Sequence, residues 1–530
     1  MDYVEIIVSK DENIYSGIQP DIIQPVNEKY EIWYLNRENA PALSIQNYSY
    51  SLIPKCLVTL SSDALLDSGV LRLQNMTTLS LKGQGVFIAI IDTGIQITDD
   101  YNIFSIWDQT GNENPPEGFW YGTEYRGKQI KQADEQDEDG HGTFLASVTA
   151  GRESPYNDFV GAAPEAELIV VKLRQASEAL KEYYYIPTER STYSEADIML
   201  GVSYADMIAR KENRPLVVCL ALGCNNGLHV GSGALSDYLS SVASTVHRAV
   251  VVASGNEANQ RKHFRGNTNQ VLMPQRIEMD VTENIKGFYA ELWGLVPEQF
   301  AVAVQSPMGS VRPQTTPVLG DSNAYEFALD NSRVTIDYRN VGRSRRDQLI
   351  SVRIDNPSRG IWTLMVYPQN NILGDFDVWL PMKELLYADV YFIKSDPDTT
   401  FTMPSDSQVA MTVGGYNQIS DAIYIDSGRG FEPDGWIKPD FLAPAVEIQG
   451  QGIRGQYIYQ TGTSGAVAIA AGACAQLLEW AVVRENAIGI NSVDIKNLLI
   501  RGARRRDDII YPSKQYGYGI MDVYQSFRLI

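Results

Sequence analysis

The chain has 530 residues, of which 44% are hydrophobic and 21% charged, and its formal net charge is −21 at pH 7. This length allows one large core and at least one further module, and the composition excludes a disordered or fibrous protein. The negative charge repels polyanions, so we expect no nucleic-acid partner. The chain has four cysteines, Cys56, Cys219, Cys224 and Cys474. They are too few for a disulfide scaffold, and none lies in a CxxC pair, so we expect no metal and no other cofactor.

The first residues, MDYVEIIVSKDEN, lack the basic and apolar regions of a secretory signal peptide. One stretch, 465–483, is apolar enough to resemble a membrane span. It is dominated by Ala and contains Gln476 and Glu479, which favours a helix buried in a protein core. We therefore expect a chain that is synthesised in the cytoplasm and does not enter a membrane.

Residues 1–60 begin with two strand-like runs, YVEIIV and YEIWYLN, and end in the extended segment YSYSLIPKCLVTL. Apolar strands then alternate with helical segments over 61–264, and the same pattern resumes over 403–530. VFIAIID and LVVCLALG are continuous apolar runs, as expected of strands buried on both faces. This alternation predicts an α/β fold with a doubly wound, mostly parallel sheet.

The pattern changes between 265 and 402, where short alternating segments such as RIEMDV, GFYAELWG and RVTIDYR are separated by Gly, Pro, Asn and Asp turns. No helical stretch of comparable length interrupts them. This predicts an inserted all-β module, a sandwich or jelly roll, between the two parts of the α/β domain.

Three segments place a reactive side chain at the end of a predicted element: Asp92 in IAIIDTGI, His141 in DEDGHGTFLAS, and Ser464 in TGTSGAVAIAAGA. Taken singly, each has an ordinary structural explanation, as a turn former, a structural histidine and a helix N-cap. Acyl transfer, however, needs a hydroxyl nucleophile, a base of near-neutral pKa and an anion that orients the base. The co-occurrence of all three in one α/β chain favours catalysis.

The chain order Asp, His, Ser, with Asp in a DTG turn and Ser in a GTS helix start, resembles that of the subtilisin-like serine proteases, the subtilases. The resemblance implies that VVVASGNEA carries the oxyanion-hole residue, Asn256. It also implies that the backbone of LALG, at Ala221, Leu222 and Gly223, binds an extended substrate by strand addition.

Other segments of the chain are similar to those of the clostridial Csp germination proteases, among them SIWDQT, GFWYGTEY and SGRGFEPDGWIKPD. This resemblance implies a jelly-roll insertion and an N-terminal prodomain that is cleaved by the enzyme itself. Because cleavage of the tether does not remove the contacts that hold the prodomain, we expect it to stay bound as an inhibitor. It further implies a spore-associated protein whose substrate is the zymogen of a cortex-lytic hydrolase. The chain departs from many subtilases after Ser464, where Gly465 replaces Met, and at Ala445, where Gly is common.

We expect self-cleavage between Lys55 and Ser62, with Leu60 at P1, because Pro54 forces an extended backbone on the residue before it. Two other functions use the same fold: an inactive subtilase-like sensor, or pseudoprotease, and an esterase. The presence of all the reactive side chains favours an active enzyme, and an extended cleft favours peptides over simple esters.

Overall fold

The computed structural model describes ten stretches of the chain: 3–9, 19–25, 30–36, 63–133, 137–154, 159–269, 274–312, 322–341, 347–370 and 372–530. The chain divides into two compact units, 1–59 and 60–530. In the first unit, strands β1 (Tyr3–Ser9), β2 (Ile22–Pro25) and β3 (Tyr30–Asn36) form an antiparallel sheet in the order β1-β3-β2. The two predicted strands of this region are confirmed, whereas the expected cleavage region, 55–62, lies outside the described residues.

The second unit opens with alternating helices and strands. The helices in this part are α1 (Asp63–Asp67), α2 (Val70–Gln74), α3 (His141–Ala150), α4 (Glu178–Tyr183), α5 (Glu195–Lys211) and α6 (Ala234–Ala243). The strands are β4 (Phe87–Asp92), β5 (Ile103–Asp108), β6 (Thr123–Arg126), β7 (Glu167–Lys172), β8 (Leu216–Leu220) and β9 (Arg248–Ala253).

From the end of β9 to residue 392, the elements among the described residues are all strands, apart from a short 3-10 turn. They are β10 (His263–Asn267), β11 (Gln275–Val281), β12 (Gly287–Gly294), β13 (Gln299–Gln305), β14 (Val311–Arg312), β15 (Ser322–Phe327), β16 (Ser332–Val341), β17 (Asp347–Asp355), β18 (Gly360–Asn370), β19 (Asp375–Trp379) and β20 (Val390–Phe392). The α/β pattern then resumes with β21 (Met411–Asn417), β22 (Ala422–Ile423), β23 (Phe441–Pro444), β24 (Ile448–Gln451), β25 (Tyr457–Gln460), α7 (Thr463–Leu478), α8 (Ser492–Gly502) and α9 (Val523–Arg528).

The central sheet has the order β22-β21-β9-β8-β4-β7-β5-β6, with β23 also paired to β21. All its pairs are parallel except β5 with β6 and β21 with β22, which confirms the mostly parallel sheet. Each face carries its own core. In β4, Ile88 and Ile90 pack with α3 and α7, whereas Ala89 and Ile91 pack with α5 and α6 on the other face. This two-residue alternation explains why the strand is apolar throughout.

The helix α7 lies inside the first of these cores, and Cys474 on it and Cys219 on β8 are both fully buried, as expected of small hydrophobic residues. Within the described residues, Thr463–Val483 is the one helical stretch long and apolar enough to span a membrane, and 83% of its most apolar window is buried inside the protein. The interpretation of this stretch as a core helix is therefore supported.

Strands β10–β20 form two antiparallel sheets, in the orders β10-β19-β12-β17-β16-β15 and β14-β13-β18-β11-β20. Alternate residues of β17 are buried, as are those of its neighbours, and together they form a separate apolar core between the sheets. We call these strands the sandwich. They begin two residues before the predicted boundary at 265, and the last of them ends ten residues before 402.

Candidate active site

Asp92 is the last residue of β4, at the carboxyl edge of the central sheet, where parallel α/β folds place their functional groups. Its side chain is fully buried, and Oδ1 accepts a hydrogen bond of 2.8 Å from the backbone N–H of Thr93. Its other oxygen, Oδ2, is buried without a hydrogen-bond partner among the described residues. The carboxylate is therefore shielded from water and faces the site.

His141 is the first residue of α3, and Asp137 holds this helix start in place. Its carboxylate accepts hydrogen bonds from the N–H groups of Gly140 (2.8 Å) and Thr143 (2.9 Å) and from the Thr143 hydroxyl (2.7 Å). A carboxylate at a helix start satisfies amides that have no partner within the helix. The imidazole is consequently fixed to a rigid element.

The turn after Asp92 and the start of α3 are in direct contact. A Cβ atom on Gly142 would lie 2.2 Å from the Gly94 carbonyl oxygen, so no larger residue fits between them without displacement. The N–H of Gly142 also donates to the hydroxyl of Thr93 at 2.9 Å. The glycines of DTG and GHG thus set the distance between Asp92 and His141.

Ser464 is the second residue of α7, and its hydroxyl oxygen lies 3.0 Å from Nε2 of His141. On the other side of the ring, Nδ1 of His141 lies 2.8 Å from Oδ1 of Asp92. The three side chains therefore form one continuous series of hydrogen bonds, although they come from positions up to 372 residues apart in the numbering of the sequence. The side chain of His141 is 24% exposed, so a ligand can reach the imidazole.

The pKa of His141 is raised to about 9. Burial is the largest influence and opposes the charged imidazolium, but it is outweighed by the charge and hydrogen bond of Asp92 and by the charges of Asp139 and Asp137. The surroundings thus stabilise a positive charge on this ring, which is the charge that a base acquires when it accepts the serine proton.

Asn256 lies beside the start of α7. Its Oδ1 accepts hydrogen bonds from the backbone N–H of Thr463 (3.0 Å) and from the Thr463 hydroxyl (3.2 Å). Because Oδ1 faces these donors, the Nδ2 group is left to donate elsewhere, and a Cβ on Gly462 would lie 3.4 Å from it. The donor side of the amide therefore lies near Gly462, two residues before Ser464.

Residues 221–223 continue β8 beyond its last paired residue, and Gly223 is exposed. A Cβ on Gly223 would lie 2.3 Å from the Thr402 hydroxyl oxygen, so a side chain at position 223 would collide with Thr402. The segment is partly open to solvent, as an edge that binds an extended chain must be.

Sequence reasoning missed Asp137 and Thr463, which orient His141 and Asn256. An Asp shortly before a predicted helix is a recognised signal for the start of that helix, so Asp137 could have been identified from the sequence. The contact of Thr463 with Asn256 joins residues 207 positions apart and has no local signal. Within the described ranges, no group of three or more His, Cys, Asp or Glu side chains has the arrangement of a metal site.

The model of the subtilase family matches residues 83–282 and 393–519, which together make up more than half of the chain. The chain belongs to the subtilase family. Subtilases are serine proteases, and the two matched ranges carry all the residues discussed above. The unmatched range between them, 283–392, contains most of the sandwich.

Among solved structures, this subtilase is similar to the CspB protease of Clostridium perfringens, with a TM-score of 0.77 and 24% identity over 88% of this chain and 97% of that one. This similarity shows a shared fold. MycP1 from Mycobacterium smegmatis matches with a TM-score of 0.42 and 17% identity, over 88% of this chain and 83% of that one.

Among curated proteins, the chain is 37% identical to Mycosin-1 of Mycobacterium tuberculosis over 102 residues. This alignment covers 19% of this chain and only 18% of the length of that relative.

Proposed function

We propose that this subtilase is a serine endopeptidase in which Ser464 is the nucleophile, His141 the general base and Asp92 the residue that orients the base. The observation that carries the proposal is the series of hydrogen bonds of 2.8 Å and 3.0 Å that joins the three side chains. A pseudoprotease has no need of this series, and its presence favours an active enzyme.

In the proposed reaction, Oγ of Ser464 attacks the carbonyl carbon of the scissile peptide bond while Nε2 of His141 accepts the hydroxyl proton. The carbonyl oxygen becomes an anion, which accepts hydrogen bonds from Nδ2 of Asn256 and from the backbone N–H of Ser464. His141 then gives the proton to the leaving amine as the C–N bond breaks and the acyl-enzyme forms. Water, deprotonated by the same imidazole, hydrolyses the ester and restores Ser464.

The substrate in this proposal is a polypeptide in extended conformation. Its backbone pairs with residues 221–223, which are partly exposed beyond the end of β8. An extended binding segment of this kind favours peptides over simple esters.

The proposal is tested by the hydrolysis of fluorescently labelled casein. The wild-type chain should release fluorescent peptides, and Ser464→Ala should not. Asn256→Ala should lower kcat by roughly 10²–10³-fold with little change in KM, since its bond to the oxyanion forms in the transition state. A change confined to KM would show that Asn256 binds the substrate and does not stabilise the oxyanion.

We further propose that residues 1–60 are a prodomain that the enzyme removes and retains as an inhibitor, and that the sandwich is an inserted jelly-roll domain. The second assignment is supported by the gap in the family match at 283–392. The resemblance to the Csp proteases supports a role in spore germination, with the zymogen of a cortex-lytic hydrolase as substrate. Incubation of such a zymogen with the wild-type chain and with Ser464→Ala tests this role, since only the former should shorten it.

A further inference from the structure

The loop that follows the substrate-binding edge is attached to the sandwich. This loop, residues 224–229, begins directly after 221–223. Its first residue, Cys224, exchanges two backbone hydrogen bonds with Met403, of 3.1 and 2.8 Å. The next residues turn away from the central sheet and meet β12 of the sandwich.

β12 contacts this loop with one of its faces. Ala290 and Leu292 point into the core of the sandwich, so Tyr289 and Glu291, on the opposite face of the same strand, point away from it. The Tyr289 hydroxyl donates to Oδ1 of Asn226 at 2.9 Å, and Nδ2 of Asn226 donates to Oε1 of Glu291 at 3.1 Å. Both ends of the Asn226 amide are thus held by one strand.

Glu291 also holds the backbone. Its second oxygen, Oε2, accepts a hydrogen bond of 3.0 Å from the N–H of Gly227 and one of 3.3 Å from the indole of Trp293. Hydrogen bonds to a carboxylate are stronger than those between neutral groups, so this side chain is the main attachment of the loop at 226–227.

The same loop is joined to the other side of the site through Asn225. Its Nδ2 donates to Oε2 of Glu257 at 3.1 Å and to the backbone carbonyl of Leu380, which follows β19 of the sandwich, at 3.2 Å. Glu257 is the neighbour of Asn256 in the sequence. The sandwich, the loop and the segment of Asn256 therefore form one connected network.

We propose that Glu291, assisted by Tyr289, is a positioning residue for extended substrates. By holding 226–227, it keeps residues 221–223 in the conformation that pairs with a peptide backbone. This inference rests on the proposed peptidase function. It assigns to the sandwich a role in substrate recognition, in addition to the stability that any packed module adds.

This positioning role predicts different effects on a small probe and on a protein substrate. A small fluorophosphonate reacts with Ser464 and needs His141 and Asn256, but it does not extend along 221–223. A protein substrate must pair with 221–223 as well. A displaced edge should therefore weaken the cleavage of casein much more than it slows the reaction with the small probe.

The test compares Glu291→Ala and Tyr289→Phe with Glu278→Ala, a control on an exposed position of the other sheet. Glu291→Ala should raise KM for casein about tenfold and slow fluorophosphonate labelling less than threefold, and Tyr289→Phe should have a smaller effect of the same kind. Hydrogen exchange should increase at 221–227 and stay unchanged in α7. In Glu291→Gln, one side-chain oxygen is retained, and KM should return part of the way to the wild-type value.

Equal behaviour of Glu291→Ala and Glu278→Ala in both casein kinetics and hydrogen exchange would overturn the inference. An equal loss of labelling and of casein cleavage, together with a lower Tm, would also overturn it, since that result indicates a purely structural role. If wild type is not labelled at all, the proposed function itself fails, and this outcome is distinct from the others. If casein is cleaved too slowly for kinetics, hydrogen exchange at 221–227 tests the inference alone, and exchange that is the same in Glu291→Ala and Glu278→Ala would overturn it.

Discussion

At the scale of single residues, the charge of His141 depends on the carboxylates around it. Because its pKa is raised to about 9, the ring is protonated at neutral pH, and kcat/KM should increase as the pH rises above 7. Asp139 is exposed and contributes to this shift by its charge alone. Asp139→Asn should therefore lower the pKa, move the acid limb of the profile of kcat/KM to lower pH, and raise activity at pH 7.

The matched control is Glu138→Gln, since Glu138 is also exposed and adjacent in sequence but is not among the main causes of the shift. It should leave the pH profile unchanged. An acid limb that stays in place in Asp139→Asn, or that moves equally in both variants, would contradict this electrostatic account.

Glu432 is a second residue whose protonation matters, in this case for stability. It is 2% exposed, and neither carboxyl oxygen has a hydrogen-bond partner among the described residues. Burial raises its pKa to about 9, against the attraction of Lys438. The folded state thus keeps this proton up to about pH 9, whereas the unfolded chain releases it near the ordinary value of 4.5. The free energy of unfolding should therefore fall as the pH rises between these two values, by at most about 1.4 kcal/mol per pH unit.

Glu432→Gln removes this proton and should flatten the dependence of stability on pH, so that the variant is more stable than its parent at pH 8 and similar to it near pH 4. Urea denaturation on a Ser464→Ala background measures this without self-digestion. Glu278→Gln serves as the exposed control. A variant with the same slope as its parent would show that Glu432 is not the titrating group.

At the scale of elements, the position of α3 depends on Gly142. The Cβ of an alanine there would lie 2.2 Å from the Gly94 carbonyl oxygen, and backbone atoms cannot give way as a flexible side chain can. Gly142→Ala should therefore shift the start of α3, lengthen the distances from His141 to its partners, and lower kcat/KM by about 10²-fold or more. Tm should fall as well.

Gly489→Ala is the control for this substitution, because a Cβ at Gly489 would have no heavy atom within 4 Å. It should leave both activity and Tm close to those of wild type. Full activity in Gly142→Ala would show that α3 tolerates displacement and that the close contact of the DTG and GHG turns does not set the geometry.

The sequence predicted elements well where hydrophobic periodicity was regular. β4 and β8 are almost continuous apolar runs, and buried residues alternate with more exposed ones in β11, so these strands were predicted. Several strands were not predicted: β2, β14 and β20 have four residues or fewer, too few to show a period, but β5 and β15, with six residues each, were missed as well. The structure brings Asp92, His141 and Ser464 together as expected, and their catalytic roles stay a prediction.

Other contacts were beyond sequence reasoning because they join distant elements. The hydrogen bond from Asn226 to Glu291 crosses 65 residues, and nothing in GFYAELWG distinguishes a glutamate that faces another domain from one that faces solvent. Periodicity gives the face on which Glu291 lies, but the identity of the element packed against that face depends on the tertiary structure.

At the scale of the whole molecule, the sandwich and the α/β part are joined by buried aromatic contacts. Trp379 is 2% exposed, stacks on His229 at 4.2 Å and on His263 at 4.9 Å, and donates its indole N–H to the Thr399 carbonyl at 3.3 Å. His229 belongs to the loop after β8, whereas Trp379 and His263 belong to the sandwich. We therefore expect residues 60–530 to unfold in one cooperative transition.

Trp379→Ala should remove about 3–5 kcal/mol and separate the unfolding of the two parts, which calorimetry on a Ser464→Ala background would show as two transitions. Trp436→Ala, at a position that is 52% exposed, is the control and should leave a single transition near the wild-type temperature. Two transitions already present in the parent protein would contradict the coupling of sandwich and α/β part.

The activity of the whole molecule depends, in this proposal, on Ser464 as a nucleophile activated by His141. The most direct measurement is the reaction of the purified chain with a fluorophosphonate probe, followed by mass spectrometry of the labelled peptide. We expect one covalent adduct, on Ser464, that is absent in Ser464→Ala and strongly reduced in His141→Ala. Equal labelling of wild type and Ser464→Ala, or a folded wild-type protein without any adduct, would contradict the proposal.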